Sequence, residues 1–489
     1  MNLRMVSLLI GKILLIELIT LAPPTAISLY YHEAAAVKAF VVTMILLALT
    51  GFSLCCARPK VKAFYAAEGF VVTALSWLVI SFFGAVPFYL SGAITNPVDA
   101  FFEVVSGFTT TGASILSDVE ALPMGLLYWR SFTHWLGGMG VLVFLLAIIS
   151  FGGGGGYSLH LLRAESPGPN VGKIMPKLRQ SAMMLYIIYI ALSVIEVLLL
   201  LVGGMPLFDS LCTMFGTAGT GGFSVKNASM AAYPSAYLQN VVTVFMALFG
   251  INFSVFFLLL TRDFSQVLRD EELRCYLGIM TVSVVLIATN IYSLYNSWGK
   301  AFHHAAFQVS SIMTTTGFAT ADFNLWPEFS RTILILLMFI GASAGSTGGG
   351  MKVSRLIICL KSAAKEISRM LHPKAVRVIR MNQKALDTRV VRGVNVFMTI
   401  YFFTAALSFL LISLDNFGMI TNFTAVVSCL NNIGPGLEFV GPTGNFALFS
   451  NFSKLVLSAD MLLGRLEFFP LLILFGPSTW RRKKQPKIR

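Results

Sequence analysis

Threonine and glycine recur together at four places in this chain of 489 residues: TTTGAS at 109–114, TGGFS at 220–224, TTTGFAT at 314–320, and the related NNIGPG at 431–436. Residues of this kind carry no covalent chemistry. What they can offer is oxygen: threonine brings a carbonyl and a hydroxyl, and glycine permits backbone angles that a side chain forbids. An extended loop of this composition can therefore present oxygens to a dehydrated cation. One loop holds no ion by itself, but four of them can close a ring within one chain. Gly112, Gly222, Gly317 and Gly434 lie 110, 95 and 117 residues apart, which spreads the four segments along most of the sequence.

The elements that must carry such loops are membrane helices. Hydrophobic residues make up 56% of the chain, charged residues only 12%, and the mean hydropathy is +0.77. A water-soluble chain of this length needs more polar surface to cover its core. About 20 apolar residues cross the hydrocarbon layer, and ten stretches reach or approach that length: 5–31, 37–57, 66–94, 124–151, 182–204, 236–261, 275–297, 329–361, 394–414 and 450–476. The first contains Lys12 and Glu17 and leads straight into the second, so it reads as a retained helix rather than a signal peptide.

The net charge of +14, from 36 Lys and Arg against 22 Asp and Glu, gathers in alternate gaps. These hold Arg58, Lys60 and Lys62; Arg163, Lys173, Lys177 and Arg179; Arg262, Arg269 and Arg274; the stretch from Lys352 to Arg392; and Arg481 to Lys484. Such clustering argues against a nucleic-acid surface and follows the positive-inside bias, with both termini cytoplasmic and all four loops outside. The six cysteines and six histidines show no metal-type spacing and read as packing residues.

Each glycine loop follows an apolar stretch too short to cross the membrane and precedes another long run. The repeating unit is helix, half-helix, loop, helix. Ser106, Ser311 and Ser428 stand six residues before their glycines, and Asp99 and Asp209 thirteen before theirs. Non-helical backbone at membrane depth is tolerated only when buried in protein or lining water, and the half-helices would turn their partially negative C-terminal ends towards a cation. No loop offers the carboxylates expected for a divalent ion, so the substrate class is a monovalent cation. The expected fold is an all-α polytopic membrane protein. It has an extra N-terminal helix pair at 1–62, pore repeats at 63–160, 161–265, 266–375 and 376–480 around one central pore, and a basic tail at 481–489.

These segments, together with GASAGSTGGGMK at 341–352 and LLGRLEFFP at 462–470, resemble the Trk/Ktr/HKT superfamily of potassium transporters, most closely its bacterial TrkH branch, over nearly the whole chain. The resemblance implies a potassium filter of Thr110, Thr111 and Gly112; Thr220, Gly221 and Gly222; Thr315, Thr316 and Gly317; and Asn432, Ile433 and Gly434. In repeat 2 either Gly221 or Gly222 can be the filter glycine, and repeat 4 departs from TTTG. It further implies uptake of potassium, with rubidium as a surrogate, in the bacterial inner membrane by a homodimer under a cytoplasmic nucleotide-binding ring of the TrkA type. The chain has neither GxxxxGK[ST] nor a GxGxxG after a strand, so no nucleotide or covalent cofactor is expected in it. The basic stretch from Lys352 to Arg392 is expected to meet anionic membrane lipid.

GASAGSTGGG at 341–350 sits inside the span expected at 329–361. Each glycine costs about 1 kcal/mol relative to alanine in a helix interior, so this span must break. By resemblance, Gly345, Ser346, Thr347, Gly348, Gly349 and Gly350 form an intramembrane gate, with Lys352 and Arg465 beside it. A charge near mid-membrane costs roughly 2.5–3.5 kcal/mol, so Arg465 should find the loop carbonyls, Glu467 or Asp460. Lys352 is expected to snorkel to the cytoplasmic face. Two other readings exist. A symporter could couple potassium to sodium or protons through Glu17, Glu103, Glu196 or Asp460, although none lies in a loop. The GxSxG of 341–345 could place Ser343 as a hydrolase nucleophile, but an enzyme has no use for four registered loops.

Overall fold

A computed structural model describes residues 1–57, 66–138, 140, 178–374 and 377–476. The basic residues at 58–62 and 163–177, the second half of the span expected at 124–151 and the tail at 481–489 lie outside the described residues. The regular structure of the described chain is helical, apart from a minimal antiparallel ladder of Arg380–Met381 with Lys384–Ala385 that the sequence reading did not foresee.

Among the described residues, six helices are long and apolar enough to cross a membrane. They are the N-terminal pair (Leu3–Tyr30, interrupted at Leu21 just before Pro23 and Pro24, and Ala34–Cys55) and the first helix of each of four repeats: Ala66–Leu90, Leu178–Val202, Glu271–Tyr295 and Thr388–Ile412. After each of these comes a short, buried pore helix: Pro97–Phe108, Leu207–Gly219, Trp298–Met313 and Met419–Asn431.

The second long helix of the repeats is where the expectation of ten spans needs correction. In repeat 2 it divides into Ala236–Phe249 and Phe253–Leu260, bent by 93°. Asn252 starts the second piece by accepting from Ser254 N at 2.9 Å. In repeat 3 it divides into Glu328–Ile340 and Val353–Leu371 around the glycine run. In repeat 4 it divides into Asn451–Arg465 and Phe469–Phe475, because Glu467 and Phe468 adopt left-handed backbone with φ of +53° and +67°. Only the break in repeat 3 is announced by its composition.

The pore helices lie at the centre, and large aromatics such as Phe102, Phe108, Trp129 and Phe249 fill the space between them and the longer helices. Leu198, Phe403 and Leu410 point outward, as lipid-facing positions should. The N-terminal pair meets at two glycines: a Cβ on Gly11 would stand 2.8 Å from Gly51 O. Small residues at such a crossing let helix backbones approach closely. Gly11→Val should therefore cost about 1–3 kcal/mol by overpacking. Thermal unfolding in detergent measures this, and an unchanged Tm would contradict the close packing.

Candidate functional site

Each pore helix ends in the same way. Within two residues of its last turn the chain turns left-handed, at Thr110 (φ +56°), Thr220 (+55°), Thr315 (+60°) and Asn432 (+57°). The next residue donates its N–H five residues back: Thr111 to Ser106 O, Gly221 to Gly216 O and Thr316 to Ser311 O at 2.8 Å, and Ile433 to Ser428 O at 3.0 Å. This bond pattern closes a helix C-terminus, usually with glycine in the left-handed place. Three β-branched threonines hold it here, at a cost of order 1–3 kcal/mol each, and such strain collects at functional sites. One residue further on, Gly112, Gly222, Gly317 and Gly434 have φ of +82°, +75°, +87° and +101°. This fixes the register in repeat 2, where Gly222 is the counterpart of Gly112 and Gly221 is the counterpart of Thr111.

The four loops touch in cyclic order. A Cβ on Gly112 would meet Gly221 O, one on Gly222 would meet Thr316 O, one on Gly317 would meet Ile433 O, and one on Gly434 would meet Thr111 O, all closer than 3 Å. Repeat 1 thus abuts 2, 2 abuts 3, 3 abuts 4, and 4 returns to 1. Above the ring lies an open vestibule of about 180 Å³, lined by Ser114, Ser224, Asn227, Thr443 and Asn445 among others. The hydroxyls of Thr111 and Thr316 pair with Thr109 and Thr314 at 2.8 Å, tying each loop to its helix end. In repeat 4 that place is taken by Ile433, which has no hydroxyl, and one residue earlier the amide of Asn432 donates to Thr111 Oγ1 at 3.0 Å and Met461 O at 2.9 Å.

Beneath the ring runs the segment 341–352. Gly349 N donates to Thr315 Oγ1 at 2.6 Å, and Gly350 N to Asn431 O at 3.0 Å. Gly348 comes so near a pore-helix end that a Cβ there would stand 2.9 Å from Thr314 O. The segment also passes through the break of repeat 2. Ser343 N donates to Gly250 O at 3.1 Å, Phe253 N to Gly345 O at 3.0 Å, and Thr347 Oγ1 to Phe249 O at 3.2 Å. One reading of this region is corrected. Lys352 is buried and donates to Gly348 O instead of snorkelling, because its left-handed backbone (φ +75°) turns it back along the loop.

Of the partners expected for Arg465, the carbonyls are the ones it meets. The left-handed turn after it sends Glu467 to Arg355, and Asp460 accepts from Ser408 Oγ at 2.7 Å. Arg465 bonds carbonyls, as the alternative expected: Thr347 O at 2.9 Å, Gly138 O at 2.8 Å and Gly137 O, with Thr110 Oγ1 at 3.2 Å. One guanidinium thereby joins the repeat-1 loop, the repeat-1 helix end and the segment below the ring.

Other acidic side chains make contacts that the sequence does not foretell. Glu272, buried at the start of Glu271–Tyr295, accepts from Ala344 N at 2.7 Å and Ser354 N at 3.1 Å, so one carboxylate clasps both ends of the segment. Glu103 is paired with Arg130 at 2.7 Å. Outside the membrane core, the Lys226 ammonium and the Asn227 N–H bound to Glu120 hold its carboxyl below the ordinary carboxylate range. Among the described residues Ser343 Oγ has no hydrogen-bond partner, whereas a nucleophile needs a base within hydrogen-bond reach.

A ring of loops on one axis, with a polar plug beneath, defines a membrane protein built to pass an ion. The family model described as TrkH, cation transport protein, matches residues 32–482, and the chain belongs to this family of transporters, which are not enzymes. It is 36% identical to the Trk system potassium uptake protein TrkH of Salmonella typhimurium over 490 residues, covering 98% of this chain and all of that one. It is 30% identical to the Trk system potassium uptake protein TrkG of Escherichia coli K12, covering 98% of this chain and 99% of that one. The crystal structure of the potassium transporter TrkH from Vibrio parahaemolyticus superposes with a TM-score of 0.87 at 32% identity, covering 98% of this chain and all of that one.

The clasp generates a test. With cysteine placed at Ser346, Glu272→Gln should speed thiol labelling of the segment about tenfold, since hydrogen bonds to a charged acceptor are worth roughly 1.5–3 kcal/mol. Equal labelling rates would show that the carboxylate does not hold the segment.

Proposed function

We propose that this chain takes up potassium through a pore whose filter is the four-loop ring. The observation that carries the reading is the cyclic contact of Gly112, Gly222, Gly317 and Gly434 with the carbonyls of the next repeat, which surrounds one axis with backbone oxygens. Potassium is the ion named for relatives that share 30–36% of their residues along nearly the whole chain. The carbonyls of the loops replace the water lost on entry. The pore helices add their C-terminal dipoles.

The segment 345–350 with Lys352 and Arg465 is the gate. It occupies the path below the ring, and the Arg465 charge between Thr110 and Thr347 opposes a cation approaching from either side. Conduction is channel-like rather than coupled: of the four acids that could serve a symporter, Glu103 and Asp460 are engaged by Arg130 and Ser408, and neither Glu17 nor Glu196 lies in a ring loop. The working unit is a homodimer in the bacterial inner membrane, with both termini cytoplasmic and a TrkA-type nucleotide-binding ring docked on that face.

Rubidium flux into proteoliposomes tests this directly. Flux should be inhibited by potassium and little affected by sodium, and its reversal potential should follow the potassium gradient alone. Arg465→Ala should raise the flux on the order of tenfold, the effect expected from removing one charge beside the path. A reversal potential that moves with sodium or protons would favour the symporter, and unchanged or reduced flux in well-folded Arg465→Ala protein would exclude the gate.

A further inference from the structure

The corner between loops 1 and 2 is built unlike the other three. Where repeats 1, 3 and 4 have Thr111, Thr316 and Ile433, repeat 2 has Gly221, which lacks a side chain although its backbone is not left-handed. The missing volume is filled from repeat 1. A Cβ on Gly221 would fall among the imidazole atoms of His134, which comes from Met124–Gly138. That ring accepts from Phe223 N through Nε2 at 3.2 Å and, with its proton on Nδ1, donates to Gly107 O at 2.8 Å. It therefore bridges the pore helix of repeat 1 and the loop of repeat 2.

One helical turn away, Arg130 makes a second bridge. Its Nε meets Glu103 at 2.7 Å, its Nη1 donates to Ser224 O at 3.0 Å, and its guanidinium lies 3.5 Å over the ring of Phe223. Glu103 in turn accepts from Ser114 Oγ at 2.9 Å and Ile115 N at 2.9 Å. The outgoing arm of loop 1 is thus bound to the outgoing arm of loop 2 through one ion pair. Glu103, Arg130 and His134 are 1%, 4% and 0% exposed, so solvent does not screen the pair. At the place of Glu103, nine residues before the ring glycine, the other repeats have Thr213, Gln308 and Ala425, none of them charged.

A buried ion pair whose remaining acceptors are all bonded contributes more to geometric definition than to net stability. Discrimination between alkali cations requires that the spacing of the ring oxygens, or their number, stay fixed as the ion changes. We propose that Glu103, Arg130 and His134 are positioning residues that fix the spacing of loops 1 and 2 and thereby set the preference of the pore for potassium over sodium. This rests on the filter reading of the ring.

The test uses full-length protein in proteoliposomes, with rubidium uptake measured across concentration and against sodium. Glu103→Gln keeps the shape and removes the charge. It should raise the apparent KM for rubidium and lower rubidium-over-sodium discrimination about tenfold, the scale of one charge-assisted hydrogen bond, with the maximal rate within about twofold. Arg130→Lys, which keeps the charge but loses the fork to Ser224, should do the same and serves if Glu103→Gln fails to reach the membrane.

Gly221→Thr alone should abolish uptake by colliding with His134, and His134→Gly in the same chain should restore it. Glu120→Gln, which breaks the exposed pair with Lys226, should change nothing. Gly222→Ser is the control for the ring itself. If Gly222→Ser destroys discrimination while Glu103→Gln and Arg130→Lys leave it intact, the brace is refuted and the filter stands. If Gly222→Ser leaves discrimination intact as well, the filter reading falls. An effect of Glu120→Gln equal to that of Glu103→Gln, or failure of His134→Gly to rescue Gly221→Thr, would also overturn the brace.

Discussion

Four backbones approach one axis within van der Waals contact, and that close approach governs the rest of the molecule. It is possible only because a glycine with positive φ stands at each contact, facing the carbonyl of the neighbouring repeat. To deliver those glycines, each pore helix must stop at the same depth and turn through a left-handed residue, which three threonines and an asparagine accept under strain. The long first helices and the aromatic packing around the pore helices supply the rigidity that holds this geometry. The ring is thus the point where local strain, helix termination and the fourfold repeat meet.

A second consequence follows below the ring. Continuous helices converging there would crowd the axis, and three of the second helices described through their length are broken at that level. The breaks differ in chemistry: Gly250 to Asn252 in repeat 2, the glycine run in repeat 3, and the left-handed Glu467 and Phe468 in repeat 4. Their free carbonyls and N–H groups then find one another or Arg465, as exposed backbone at membrane depth must. The polar plug is therefore built largely from the satisfied ends of interrupted helices, tied to one another by Arg465, Glu272 and Lys352.

Much of this was legible in the residues, and the illegible part has a physical cause. The loops and the break at 341–352 could be read because glycine and threonine are required by backbone geometry, and that requirement is local. The register of Gly222 needed the dihedral pattern shared with the other repeats. The breaks in repeats 2 and 4 leave no compositional trace beyond one or two residues. The partners of Arg465 and Lys352, and the roles of Glu272 and Glu103, depend on side chains reaching between segments far apart in sequence. Asn432 and Thr111, 321 residues apart, illustrate the scale. Glu467 misled for the opposite reason: it is close to Arg465 in sequence, yet the backbone turn between them separates the two.

On the filter reading, dehydrated alkali ions rest on the axis enclosed by Gly112, Gly222, Gly317 and Gly434. Anomalous diffraction from crystals grown in rubidium or thallous salt addresses it most directly. Strong peaks on that axis, level with the loop carbonyls and exchangeable for potassium, are the predicted result. Ion density displaced from the axis, or a ring without density in saturating salt, would contradict the account.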